Sequence, residues 1–260
     1  NGHLAATYDA DSKKKVVPEL MPRALYWFRW GAAWTWLTGL VLLFVVFYLG
    51  GLMPEGFTSS KFEDGTVDRP ANMWIHISLL IPFLTVILYD FFYKSSLGKN
   101  TRVATLISFA YIGAFIYFMS SFAYLEPAGG FGEDWAYTES TTSWRLINIQ
   151  IGAMFGTIMA FNVWFRIWPA QQRIISAIKE GVAPNANDVG LAGLRSKHNT
   201  YMSVPLIWTM INAHTSSFLG DNALSFGNLI TAEIWLLIVI ALGWHIVFQL
   251  YRKSGKVKGF

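Results

Sequence analysis

Four histidines, His76, His198, His214 and His245, lie within or at the ends of long apolar stretches, whereas His3 lies in a polar segment. Neutral imidazole is a usual axial ligand of haem iron, and membrane dihaem cytochromes hold histidine pairs at two depths so that an electron can cross the bilayer. The apolar segments place His76 and His214 near one face and His198 and His245 near the other. These two depths make haem b the expected cofactor, with His198, His214 and His245 as possible iron ligands. The same imidazoles could instead hydrogen-bond to water or a neighbouring helix at headgroup depth. Sixteen residues at 100° each set His198 and His214 about 160° apart around one helix, so the two belong to different sites.

Two arginines lie among tryptophans at helix ends: Arg29 beside Trp27 and Trp30, Arg166 beside Trp164 and Trp168. Snorkelling at the interfacial aromatic belt accounts for both, and each is also a natural partner for a haem propionate. Asp90 and Glu233 are the carboxylates nearest the hydrocarbon, either as proton-relay groups or simply reaching water. Gly152, Gly156 and Ala160 recur every four residues, which allows close helix packing or leaves room for a flat cofactor. The chain has no cysteine, so thiolate metal sites, disulfides and covalently attached c-type haem are excluded within it. No phosphate loop, nucleophile elbow or HExxH zinc motif is present.

The elements that must position these residues follow from composition. Hydrophobic residues make up 53% of the 260 and charged residues only 14%, against roughly 25% charged in soluble domains. The apolar residues gather into blocks of about 20, enough to cross ~30 Å of hydrocarbon as helix. Six spans are predicted, at 31–51, 72–93, 101–125, 144–168, 198–219 and 229–251. Lipid forces each to satisfy its own backbone, so the fold class is an all-α polytopic transmembrane bundle. Residues 1–30 form a cytoplasmic N-terminal segment, 169–197 an interfacial cytoplasmic loop and 252–260 a basic cytoplasmic tail. Within that loop Ile174, Ile175 and Ile178 make one helical stripe, with Gly181 as its stop.

All but three of the 20 Lys and Arg residues fall on one side of these spans, the exceptions being Lys61, Arg69 and Arg145. The positive-inside rule then makes both termini cytoplasmic. The opposite loops carry Glu63, Asp64, Asp68, Glu126, Glu133, Asp134 and Glu139, an acidic face suited to a cationic c-type cytochrome, or simply a solvated rim. The pI of 9.2 reflects topology and anionic lipid, not nucleic acid.

Four stretches, "PRALYWFRWGAAWTWLTGLVLLFVVFYLG", "YDFFYKSSLGKNTR", "IGAMFGTIMAFNVWFRIWPAQQRIISAIKEG" and "RSKHNTYMSVPLIWTMINAH", in this order resemble the membrane domain of the bacterial membrane-bound urate oxidase (urate hydroxylase) family. The resemblance runs from about Met21 to Tyr251. It implies a redox module embedded in the bacterial inner membrane whose electrons pass to a c-type cytochrome, a domain that members carry at their C-terminus and that this cysteine-free sequence lacks. His198 and Asn199 fall on the family's HN pair, and His214 and His245 on histidines of its last two spans. Gly156, Asn162, Pro169 and Gln172 fall on its fourth-span signature. Two positions depart: Tyr26 stands where a histidine is expected and Gly31 where an acid is expected. Three readings follow: a redox subunit with haem b among other membrane subunits, a urate- or purine-oxidising subunit, and a cofactor-free structural or transport subunit.

Overall fold

A computed structural model describes residues 9–50, 60–61, 63–65, 67–69, 73–121, 126–128, 136–138, 144–214, 232–254 and 256. Among these residues eight helices carry the fold: α1 (Ala10–Leu43), α2 (Met73–Lys94), a single turn α3 (Ser96–Lys99), α4 (Thr101–Ser121), α5 (Trp144–Asn162), α6 (Trp168–Glu180), α7 (Ala186–His214) and α8 (Ala232–Ser254). A π-helical segment, Phe44–Leu49, extends α1, and a second, Val163–Ile167, joins α5 to α6 without a break. Small antiparallel ribbons interrupt the loops between spans, β1 (Ser60–Lys61) with β2 (Val67–Arg69) and β3 (Glu126–Ala128) with β4 (Ala136–Thr138).

Five helical stretches are long and apolar enough to cross a membrane among the described residues: Lys14–Leu49, Ile75–Lys94, Thr101–Ser120, Arg145–Glu180 and Glu233–Ser254. The chain is therefore a helical bundle compatible with a multi-pass membrane protein. The sixth apolar stretch, 198–219, occupies the second half of α7 as far as His214, and its last residues lie outside the described ones.

Helix lengths differ from the apolar blocks in an informative way. At 1.5 Å per residue, a 36-residue helix is about 54 Å long, well beyond ~30 Å of hydrocarbon. Both Lys14–Leu49 and Arg145–Glu180 reach this length, so α1 and the α5–α6 helix extend past the apolar layer. The segment before residue 31 is helical from Ala10 onward, and 169–197, expected along the cytoplasmic interface, is built of two helical segments that form a hairpin. The hairpin turns at Gly181, whose φ of 76° lies in the left-handed region that closes helices. There the Val182 amide donates to the Ala177 carbonyl at 2.8 Å. The amphipathic α6 packs against α1 and α7, and Ile174, Ile175 and Ile178 of its stripe are each half-buried. Arg173 on α6 holds Asp188 on α7 with Nε 3.0 Å from Oδ2 and Nη2 2.6 Å from Oδ1.

The core is centred on α5, which makes its most extensive contacts with α7 and then α2. Ile151, Met154, Phe155 and Ile158 are buried there with Ile75 and Leu79 of α2, Ile116 and Met119 of α4, and Leu236 and Ile240 of α8. Gly152 permits the α5–α7 approach, since a Cβ there would lie 2.8 Å from Thr209 Oγ1. Gly156 has nothing within 4 Å of the corresponding point, so of these two glycines only the first makes the close contact. Pro205 leaves α7 continuous and fits against Gly243 of α8, where a Cβ would lie 3.2 Å from the proline Cδ.

Candidate functional site

Helical periodicity puts a run of polar residues on the inner faces of three helices. On α7 these are Arg195, His198, Asn199 and Thr209; on α5, Asn162, followed by Arg166 in the π segment; on α2, Thr85, Tyr89, Asp90 and Tyr93. Of these, Thr85, Asp90, Asn162, Arg195 and Thr209 are buried. Apart from Thr85 and Thr209, they meet in one polar layer toward the Lys94 end of α2. The π segment matters here, because one extra residue per turn re-aims the side chains that follow, and such bulges recur at functional sites.

Half of the layer is neutral, and its hydrogen bonds have a direction. Asn199 Nδ2 donates to the Met159 carbonyl at 3.1 Å, which leaves Asn199 Oδ1 to accept from Asn162 Nδ2 at 2.9 Å. Asn162 Nδ2 also donates to the Tyr89 hydroxyl at 2.9 Å. The Tyr89 hydroxyl also shares a hydrogen bond with His198 Nδ1, 2.8 Å away, in which either group can be the donor. Its ring stands edge-on to Tyr89 and 4.3 Å from the centroid of Tyr93, whose hydroxyl meets Ser108 Oγ of α4 at 3.1 Å. Asn162 Oδ1 is buried without a partner among the described residues.

The other half is ionic and is organised by Asp90. Arg166 grips both of its oxygens, Nε at 2.7 Å from Oδ1 and Nη2 on Oδ2. Lys94 Nζ reaches Oδ2 at 2.7 Å, and Arg195 Nη2 donates to Oδ1 at 3.0 Å. The Arg195 guanidinium lies 4.7 Å from the Tyr89 ring centroid and 5.6 Å from that of Tyr93, so it joins the two halves. Its side chain is only 1% exposed, and Nε and Nη1 have no hydrogen-bond partner among the described residues.

The other expected site residues lie apart. Arg29 stacks against Trp168, 4.2 Å from its guanidinium carbon, and Trp164, at 4.8 Å, while its carbonyl accepts from Trp164 Nε1 at 3.1 Å. His245 is exposed on α8 and shares a hydrogen bond with Gln249 at 3.1 Å. His76 is exposed near the start of α2, and His214 ends α7 with its side chain outside the described residues. The structure brings Arg166 and His198 into one layer and leaves Arg29, His76 and His245 elsewhere. Arg166 spends Nε and Nη2 on Asp90.

A haem needs an unprotonated imidazole nitrogen facing iron, and a hydrogen bond on the other ring nitrogen orients such a ligand. His198 has that second bond, between Nδ1 and Tyr89, with Nε2 remaining, and His245 lies on the exposed side of α8 with Gln249. Among the described residues no three His, Asp or Glu side chains gather to hold a metal ion.

Comparison with known families decides the chain's relationship. A family model described as urate oxidase N-terminal matches residues 3–128 and 131–255, nearly the whole length. This chain belongs to the urate oxidase N-terminal family. No curated protein and no solved structure matches it. Of the positions that the resemblance names in this member of the urate oxidase N-terminal family, His198, Asn199 and Asn162 lie in the polar layer, while His245 is exposed on α8. Tyr26 and Gly31, the two departures, instead line a shallow groove of about 430 Å³ on α1 with Trp27, Trp30 and Trp34. Arg195, Tyr89 and Lys94 are members of the layer that motif reading passes over. Their signal is present all the same: Arg195 stands four residues before Asn199, one helical turn, and Asp90 four before Lys94.

Proposed function

We propose that this chain is the membrane-embedded module of a bacterial inner-membrane oxidoreductase assembly, with six spans, cytoplasmic termini and electrons passing to a c-type cytochrome at its acidic outer face. The observation that carries the reading is the hydrogen-bonded chain Asn199–Asn162–Tyr89–His198 inside a member of the urate oxidase N-terminal family. Buried polar groups in a span are costly, so a connected set of them is a functional site by default. The chain's own residues offer a Tyr89–His198 hydrogen bond, whose proton can sit on either partner, and a buried acceptor in Asn162 Oδ1. Such a set can orient a polar substrate or pass a proton between Tyr89 and His198. The family membership favours a second, narrower form of this reading, in which the assembly oxidises urate or a related purine.

The test uses membranes that contain the native assembly. Substrate-dependent reduction of ferric cytochrome c is measured with the wild-type chain and with His198→Ala, after equal amounts of chain are verified. Reduction is expected in the wild type and its loss in the variant. Equal rates would leave the polar layer a structural tether and this reading wrong. A pyridine haemochrome spectrum of the purified chain measures haem b independently.

A further inference from the structure

We propose that Lys94, Arg166 and Arg195 form an oxoanion site that takes a phosphate group at headgroup depth, apart from any redox role. Three cations face the single carboxylate of Asp90, and no second carboxylate pairs with any of them among the described residues. A buried charge that lacks a counter-charge is costly, and here the surplus lies partly in the interior.

Hydrogen bonding points the same way. Arg166 engages all three of its nitrogens, with Nε and Nη2 on Asp90 and Nη1 donating to the Phe165 carbonyl at 2.9 Å, and keeps a second N–H on each Nη for a ligand. Arg195 is less engaged: it spends Nη2 on Asp90 and keeps Nε and Nη1 without acceptors although its side chain is 1% exposed. An arginine offers a planar fork that matches phosphate oxygens, and lysine adds a point charge. Exposure is graded, with Lys94 57% exposed, Arg166 24% and Arg195 1%.

Position selects the ligand class. Lys94 closes the apolar stretch Ile75–Lys94, so the cluster sits where a span meets the headgroups, the depth at which basic pockets between spans meet lipid phosphates. The shared chemistry is a phosphate oxoanion, delivered by an anionic phospholipid or by free phosphate.

The experiment follows thermal unfolding of the full chain in detergent micelles by tryptophan fluorescence. Phosphatidylglycerol, inorganic phosphate and the phosphate-free lipid diacylglycerol are titrated separately. Phosphatidylglycerol or phosphate raises the unfolding temperature of the wild type, because a ligand bound by the native state alone stabilises it, and diacylglycerol does not. A shift with phosphatidylglycerol alone assigns the site to a headgroup, and a shift with phosphate alone to the free ion. Lys94→Gln weakens apparent binding roughly tenfold, the loss of one charge-assisted bond. Arg195→Met abolishes it, and Lys179→Gln, which removes the same charge from α6, leaves it unchanged. If Arg195→Met fails to fold, Lys94→Gln decides. Equal shifts with diacylglycerol and phosphatidylglycerol, no shift with either phosphate source, or equal losses in Lys94→Gln and Lys179→Gln would overturn the proposal.

Discussion

Replacing Asp90 with Asn keeps the shape of the side chain and removes the one negative charge that three cations share. The partners do not suffer equally. Lys94 is 57% exposed, so its pair with Asp90 is screened by water and contributes at most about 1 kcal/mol. Arg166 is 24% exposed and can turn toward the headgroups, which discounts its loss as well. Arg195 is 1% exposed and has no other acceptor among the described residues, so it becomes an uncompensated buried charge, a loss of about 3–5 kcal/mol. Asp90→Asn should therefore destabilise the chain by about 3 kcal/mol or more, with Lys94→Gln costing about 1 kcal/mol or less. The assay is equilibrium unfolding in micelles of the wild type, Asp90→Asn, Arg195→Met and the double variant. The double variant removes both charges, so it should be less destabilised than the sum of the two single changes by at least about 1 kcal/mol. Strict additivity, or an Asp90→Asn cost no larger than that of Lys94→Gln, would refute the idea that Asp90 is held for Arg195.

Three further outcomes follow from particular contacts. Tyr89→Phe keeps the ring under Arg195 but leaves His198 Nδ1 without its hydrogen-bond partner, so unfolding should show a loss of about 1–3 kcal/mol, and a neutral result would break the chain. Gly152→Val drives a side chain into Thr209 at the α5–α7 contact and should cost about 1–3 kcal/mol, whereas Gly156→Ala, with nothing within 4 Å, should cost little in the same unfolding assay. The Arg173 guanidinium holds the Asp188 carboxyl below its ordinary value. A lowered folded pKa stabilises above the unfolded value of about 3.9 and is lost as pH falls through the lower folded one. Acid titration of wild type and Arg173→Gln should accordingly give stability curves that are separated near pH 6 and converge below about pH 4; curves that stay parallel throughout would remove the pair from the account.

Much of the bundle was legible because hydropathy reports directly on lipid: the apolar blocks at 72–93, 101–125 and 144–168 each fall on helices. Hydropathy marks where the apolar layer ends, however, and not where a helix ends. "AQQRIISAIKE" is built largely of good helix formers and continues α5 through the π segment to Gly181, and α7 likewise begins at Ala186, twelve residues before His198. Arg195 lies in the second helical segment of 169–197, whereas the isoleucine stripe marks only the first. Once α7 is drawn as one helix, Arg195, His198, Asn199 and Met202 share a side by spacing alone. The histidines drew attention as possible ligands, yet His198 works within a network with Tyr89, Asn162 and Asn199 that draws on three different helices. No local pattern encodes that, because it depends on how α2, α5 and α7 pack.

The central claim is that the layer around His198 does chemistry rather than merely joining helices. Cytochrome c reduction in membranes containing the native assembly tests it most directly, with Asn162→Leu and His198→Ala each compared with wild type at equal chain content. Substrate-dependent reduction by the wild type should fall by roughly a hundredfold or more in both variants, the scale of losing a positioned proton-transfer group. Undiminished rates in folded, assembled variants would contradict it.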